Sequence, residues 1–183
     1  QNGTNWTEQA KLTASNALDY DSFGTSVSIS GDTALVGAVG GDQSGVQHSG
    51  SAFVFVRSGT SWTEQATLTA SDPATFDNFG YSVGVSGDTA VVGADYDDHS
   101  GLMDAGSAYV FVRSGTTWTE QAKLTASDAT AADSFGTAVA LAGDLAVVGA
   151  LADDPAGITN AGSAYVFTRS GASWTEQAKL TAS

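Results

Sequence analysis

Carboxylates are the residues through which this sequence could do chemistry. Asp42, Asp98 and Asp154 recur at intervals of 56 residues, as do Asp21, Asp77 and Asp133. Asp97 and Asp153 stand beside two members of the first set. Hard cations such as Ca2+ take about six to eight oxygen ligands, which clustered aspartates and loop carbonyls supply. These residues are therefore the candidate metal ligands, and Ca2+ is the one cofactor considered. Their spacing is not that of an EF-hand loop. The competing reading is a solvated acidic surface that keeps the chain soluble. Adjacent carboxylates such as Asp97-Asp98 also suit acid–base chemistry. However, His48 and His99 are not repeat-equivalent, and no third partner completes a triad or a zinc site. No catalytic residue is assigned, and an enzyme is the remotest functional class.

The charge balance narrows the partners. Twenty acidic residues stand against six basic ones, for a net charge of -14. Nucleic acid and anionic lipid surfaces both demand Lys and Arg, so neither is an expected partner. There is no Cys, so disulfides and thiolate metal sites are excluded. No apolar run approaches the ~20 residues of a membrane helix, so insertion through one is not expected. Beginning at Gln1 without a signal-like segment, the chain reads as a processed protein or an excerpt of a longer one.

A repeat positions these carboxylates. Trp6, Trp62, Trp118 and Trp174 lie 56 residues apart, as do the Phe-Gly pairs at Phe23, Phe79 and Phe135. The divisions that follow are a surplus segment over 1–15 and units over 16–71, 72–127 and 128–183. Each unit predicts four strands, which in the first are Phe23–Ser30, Thr33–Ala38, Ser51–Arg57 and Trp62–Ala70, called A to D. Strand A alternates large and small residues, the mark of a two-faced strand. Strands B and C, such as T-A-V-V-G-A and A-Y-V-F-V, are apolar on both faces and must be covered on both. Strand D alternates again and is the outer one. Gly31-Asp32 and its equivalents make tight A–B hairpins. The fold class is thus all-β, with tandem four-stranded antiparallel blades of the β-propeller type, three in number plus one surplus outer strand. A β-helix has shorter, parallel coils, and a β-sandwich would expose one face of B and C. The repeated Trp and Phe residues are read as core.

The meander sorts the loops into two faces. The D–A and B–C loops share one face with Asp19, Asp21, Asp42, Asp72, Asp77, Asp95, Asp97, Asp98, Asp104, Asp128, Asp133, Asp153 and Asp154, and no Lys or Arg is expected there. The other face carries Asp32, Asp88 and Asp144 beside Arg57, Arg113 and Arg169, which are placed to pair within each unit, each pair contributing at most ~1 kcal/mol. The B–C loops diverge while the scaffold repeats. Loops of that kind carry binding residues, here Asp95, Tyr96, His99, Met103, Asp104, Ile158 and Asn160, for a protein or glycan ligand. Unconstrained drift gives the same divergence. Asn2 and Asn5 match the N-x-[ST] glycosylation pattern.

Phe23-Gly24, Gly37-Ala38 and Ser51-Ala52-Phe53-Val54-Phe55 together resemble the FG-GAP repeat in its bacterial form, the repeat that also builds the integrin α propeller. The resemblance implies that each unit is a propeller blade and that the protein is extracellular, secreted or at the cell surface, in adhesion or interaction. The position after Gly-Ala is Val39, Asp95 or Leu151 rather than Pro. Integrin calcium loops join strands A and B, where this chain has only a Gly-Asp turn, so that calcium site does not carry over. Three blades are too few to close a ring. The surplus strand, with Trp6, Ala10 and Leu12, lacks A–B–C partners and is an edge for assembly with another chain. Three outcomes follow: two chains close a ring, the chain is an excerpt of a longer propeller, or head-to-tail contact builds a filament, and self-association is the one expected. The two functional classes are a self-assembling structural protein and an adhesion module using the B–C loops.

Overall fold

The computed structural model describes residues 5–43 and 45–182. It contains three sheets, each a four-stranded antiparallel meander. The first holds β1 (Phe23–Ser30), β2 (Thr33–Ala38), β3 (Ser51–Ser58) and β4 (Ser61–Leu68). The second holds β5 (Ser82–Ser86), β6 (Thr89–Ala94), β7 (Ser107–Ser114) and β8 (Thr117–Leu124). The third holds β9 (Phe135–Ala142), β10 (Leu145–Ala150), β11 (Ser163–Ser170) and β12 (Ser173–Thr181). One 3-10 turn, Pro155–Gly157, lies in the last B–C loop. The sheets are blades stacked face to face. One apolar cluster joins blades 1 and 2 through Leu35, Val54, Leu68, Val83, Val85 and Val92. A second joins blades 2 and 3 through Val91, Val110, Leu124, Val148 and Phe167. β6 is buried at every position between blades 1 and 3, and β2 between blade 2 and a cluster that includes Leu12 and Ala14.

Glycine sets how closely the blades approach. Gly80 and Gly136, the glycines of Phe-Gly, sit at φ 95°, where other residues are strained. A methyl group added to Gly37 would lie 2.0 Å from the carbonyl oxygen of Gly80, and one on Gly93 would lie 2.0 Å from that of Gly136. The glycine of one blade's Gly-Ala therefore receives the Phe-Gly turn of the next.

The outer strand departs from simple alternation. Val54 pairs with Ala66 and Phe55 with Glu64, so Gln65 is a bulge, repeated at Gln121 and Gln177. A bulge re-aims its side chain. Gln65 and Gln121 turn to the next blade and accept hydrogen bonds from the indoles of Trp118 (2.9 Å) and Trp174 (3.0 Å). In blade 2 the first ladder begins at Ser82 rather than Phe79, and Phe79 bridges Gly50 of blade 1.

The expected surplus strand is corrected. Residues 6–14 form no strand, since a ladder needs a partner edge and no A–B–C sheet stands beside them. The segment nevertheless packs on blade 1 as the outer strands β4 and β8 pack on the blade that follows them. Gln9 accepts from the indole of Trp62 (3.3 Å), and Ser15 donates through its N–H and hydroxyl to Glu64 (2.9 Å each). Ser71 and Ser127 repeat that bond to Glu120 and Glu176. Leu12 packs against the free face of blade 1, whereas Trp6 is 80% exposed and Ala10 is exposed. Asn2 lies outside the described residues.

Candidate functional site

The acidic face is built by short-range bonds within its loops. Asp42, Asp98 and Asp154 each accept a backbone N–H six residues on, from His48 (2.9 Å), Asp104 (2.7 Å) and Asn160 (2.6 Å). Asp21, Asp77 and Asp133 accept the N–H of Leu18 (2.7 Å), Ala74 (2.5 Å) and Thr130 (2.6 Å), closing the D–A turns. Burial raises the Asp77 carboxyl, against the Ala74 bond and with the Asp97 charge.

Asp97 and Asp153, both nearly fully buried, already have a cation. Lys123 Nζ lies 2.8 Å from Asp97 and 2.7 Å from Asp72, and Lys179 Nζ stands at the same distances from Asp153 and Asp128. The Tyr109 hydroxyl reaches both Asp72 (2.8 Å) and Asp97 (2.9 Å). The Ser107 hydroxyl donates to Asp97 at 2.6 Å. The Asp72 carboxyl experiences burial, which raises it, but the bonds from Lys123 and Tyr109 hold it below the usual carboxylate range. Burial would lower the Lys123 ammonium, yet the two carboxylates carry it above the usual lysine range. Burial first, then the Asp97 charge, pushes the Tyr109 phenol up. One expectation is corrected here. A lysine does reach this face, because the last residues of β8 and β12 run up to it. The candidate calcium ligands are not gathered into a group of three or more among the described residues. The Lys123 and Lys179 ammonium groups are the cations that pair with Asp97 and Asp153.

Blade 1 lacks this arrangement altogether. Asn16, Gly41, Phe53 and Thr67 stand where blade 2 has Asp72, Asp97, Tyr109 and Lys123 and blade 3 has Asp128, Asp153, Tyr165 and Lys179. All four positions change together, as members of one polar network must, since a partly satisfied buried network is costly. Aligning the repeats column by column was the signal that could have found it.

Asp95 is another buried carboxylate, 4% exposed, held by Asn78 Nδ2 at 3.3 Å. Burial raises it to about 6. Protonation is thus favoured in the folded state, so its contribution to stability is full below the unfolded carboxylate range and is lost as pH rises through about 6. Asp95→Asn is expected to add about 1–2 kcal/mol at pH 7 and little at pH 4, measured by urea denaturation at both.

The B–C loops pack on the neighbouring blade. Gln47, His48 and Ser49 carbonyls accept the N–H groups of Phe76, Asn78 and Phe79, and Met103, Asp104 and Ala105 do the same for Ala132, Ser134 and Phe135. These loops differ in sequence yet repeat one backbone pattern, since main-chain bonds carry the contact. Tyr96, Met103 and Ile158 remain exposed at 46%, 65% and 62%. His99 is half-buried, with Nε2 enclosed and unpartnered.

On the opposite face Arg57, Arg113 and Arg169 lie 2.5, 2.6 and 2.6 Å from Asp32, Asp88 and Asp144. Each guanidinium also covers a Trp ring of its own blade, at 5.8, 5.2 and 5.5 Å from the centroid. Arg113 and Arg169 donate further to Thr33 and Thr89 of the preceding blade.

The ends of the stack are open. At blade 1, Val27 and Ile29 are 71% and 65% exposed, whereas their blade 2 equivalents Val83 and Val85 are each 7% exposed. At blade 3, a methyl added to Gly149 would meet nothing nearer than the Ala138 Cβ at 3.4 Å, where Gly37 and Gly93 meet carbonyls, and Leu145, Leu151 and Leu180 are exposed. A cleft of about 410 Å3 there is lined by Thr137, Gly149, Gly162 and Leu180, at the position that receives Phe-Gly elsewhere.

Repeated meanders stacked through glycine contacts define a propeller-type tandem-repeat module. The family model for the FG-GAP repeat matches residues 6–55, 62–111 and 118–167, and the chain belongs to that family. No curated protein matches it.

Proposed function

We propose that this chain is a non-enzymatic extracellular module that acts through self-assembly of stacked β-blades. The observation that carries the reading is that its two end faces are the two halves of an interface the chain makes twice internally. The seat at Gly149 is the seat that Gly37 and Gly93 offer to Gly80 and Gly136, and Gly24 at the other end has nothing within 4 Å. The small-to-large pairing also continues. Ser28 meets Val85, and Gly84 meets Leu141. Ala140 would meet Ile29 of a second copy, again a small residue against a large one. In blade 3 the hydroxyl positions Ser26, Ser28, Ser30 and Thr33 of blade 1 become Ala138, Ala140, Ala142 and Leu145. A terminal repeat built to face water is polar instead.

Light scattering over a concentration series is expected to show association that salt strengthens, because a net charge of -14 opposes contact between copies. Gly149→Ala is expected to leave the melting temperature unchanged and abolish association, since its methyl would meet the Gly24 carbonyl. A monomer at every concentration and salt overturns the reading, and electron microscopy separates rings from filaments.

A second reading, adhesion through the loop face, is favoured by one observation. Tyr20 and Phe76, 86% and 56% exposed, are both held at left-handed φ of 71° and 72°. Such backbone costs of order 1 kcal/mol and collects at binding sites. Tyr20→Ala with Phe76→Ala abolishes surface binding if this reading holds and leaves assembly intact.

A further inference from the structure

The seat along β4 is contested by two copies of one sequence. Residues 6–15 and 174–183 both read W-T-E-Q-A-K-L-T-A-S. The first copy lies in the outer-strand seat before blade 1, and residues 174–181 of the second lie in β12, the outer strand of blade 3. If the blade 3 face of one molecule meets the blade 1 face of another, β12 arrives at the seat that residues 9–15 hold. Gln177 would reach Trp62 as Gln9 does, and Leu180 would take the place of Leu12.

The two competitors are not equally held. β12 pairs with β11 from Ser163–Thr181 to Ser170–Ser173. Residues 9–15 have no ladder and are held by the Gln9–Trp62 and Ser15–Glu64 bonds and by Leu12. Displacing them loses only what β12 restores, whereas displacing β12 also breaks a ladder. The leucines record the vacancy: Leu68 and Leu124, between blades, are 3% and 4% exposed, while Leu180 is 53% exposed. Gln177 has no indole to meet and donates weakly to Thr175 O at 3.4 Å.

We infer that residues 6–15 are a displaceable cap on self-association, and that the occupant that displaces them is β12 of a second copy of this chain. The inference rests on the self-assembly reading above.

Three versions of this chain test it by sedimentation and light scattering: the unaltered chain, Leu12→Asp and Leu180→Asp, with circular dichroism confirming the fold of each. Leu12→Asp loosens the cap and is expected to tighten association about tenfold or more, on the scale of one leucine's burial. Leu180→Asp spoils the incoming strand and weakens association by a similar factor. The free decapeptide of residues 6–15, added in excess to Leu12→Asp, is expected to return it toward monomer. Should Leu12→Asp associate no better than the unaltered chain, the cap is overturned. Should it associate worse, the segment bridges copies instead of blocking them, and the cap is again overturned. If neither protein associates under any condition, the self-assembly reading falls with it. If Leu12→Asp fails to fold, peptide inhibition of the unaltered chain decides: inhibition supports the cap and its absence overturns it.

Discussion

Gly93→Ala is expected to cost about 3 kcal/mol or more in folding stability, an effect at the severe end for a single added methyl group. The added carbon would sit 2.0 Å from the Gly136 carbonyl oxygen and 2.4 Å from Ser82 Oγ. A serine side chain can rotate away. The carbonyl belongs to a Phe-Gly turn whose phenylalanine is fully buried, and it also accepts the Ser82 hydroxyl at 2.6 Å, so it cannot yield without parting the sheets. The chain contains its own control. Gly149 holds the same repeat position, and an added methyl there would meet nothing nearer than the Ala138 Cβ at 3.4 Å. Gly149→Ala is expected to stay within about 0.5 kcal/mol of the parent. Urea unfolding of the two variants side by side checks the pair. Equal midpoints would mean that the blades do not meet through these glycines.

Lys123→Met should destabilise by about 3–5 kcal/mol, the usual result of stripping one partner from a buried ion pair. Among the described residues Lys123 is the only cation in hydrogen-bond contact with Asp97, whose side chain is 3% exposed. With the ammonium gone, a buried carboxylate keeps only the Ser107 and Tyr109 hydroxyls. Blade 1 supplies the rescue. Replacing the whole network by its blade 1 counterparts, as Asp72→Asn, Asp97→Gly, Tyr109→Phe and Lys123→Thr, is expected to recover most of the loss. No buried charge then remains to be matched. Denaturant midpoints of the single and fourfold variants decide. A fourfold variant as unstable as Lys123→Met would show that blade 2 needs the network for its shape rather than for charge balance. The network also makes the parent acid-sensitive. Since the Asp72 carboxyl titrates below its ordinary range when folded, its contribution is present above that range and is lost as pH falls through the lower folded value.

The blade was legible in the sequence because its determinants are local. Strand period, Gly-Asp hairpins and the 56-residue interval are set by neighbours along the chain, and β1 and β2 begin and end where the pattern places them. The FG-GAP resemblance was likewise carried by short motifs. The role of those motifs was not legible, because Gly37 and Gly80 belong to different blades and only stacking brings them together. Acidic spacing suggested a calcium set, but it could not reveal that Lys123 and Lys179 approach from the outer strand. Nor could it show that Asp42, Asp98 and Asp154 are engaged by backbone N–H groups of their own loops. The surplus Trp segment was visible as a count of four against three. That it sits in the outer-strand seat without forming a strand was decided by tertiary structure. Side-chain bonds to Trp62 and Glu64 can hold it there, but a β-ladder needs the edge of a neighbouring sheet, which no run of residues provides for itself.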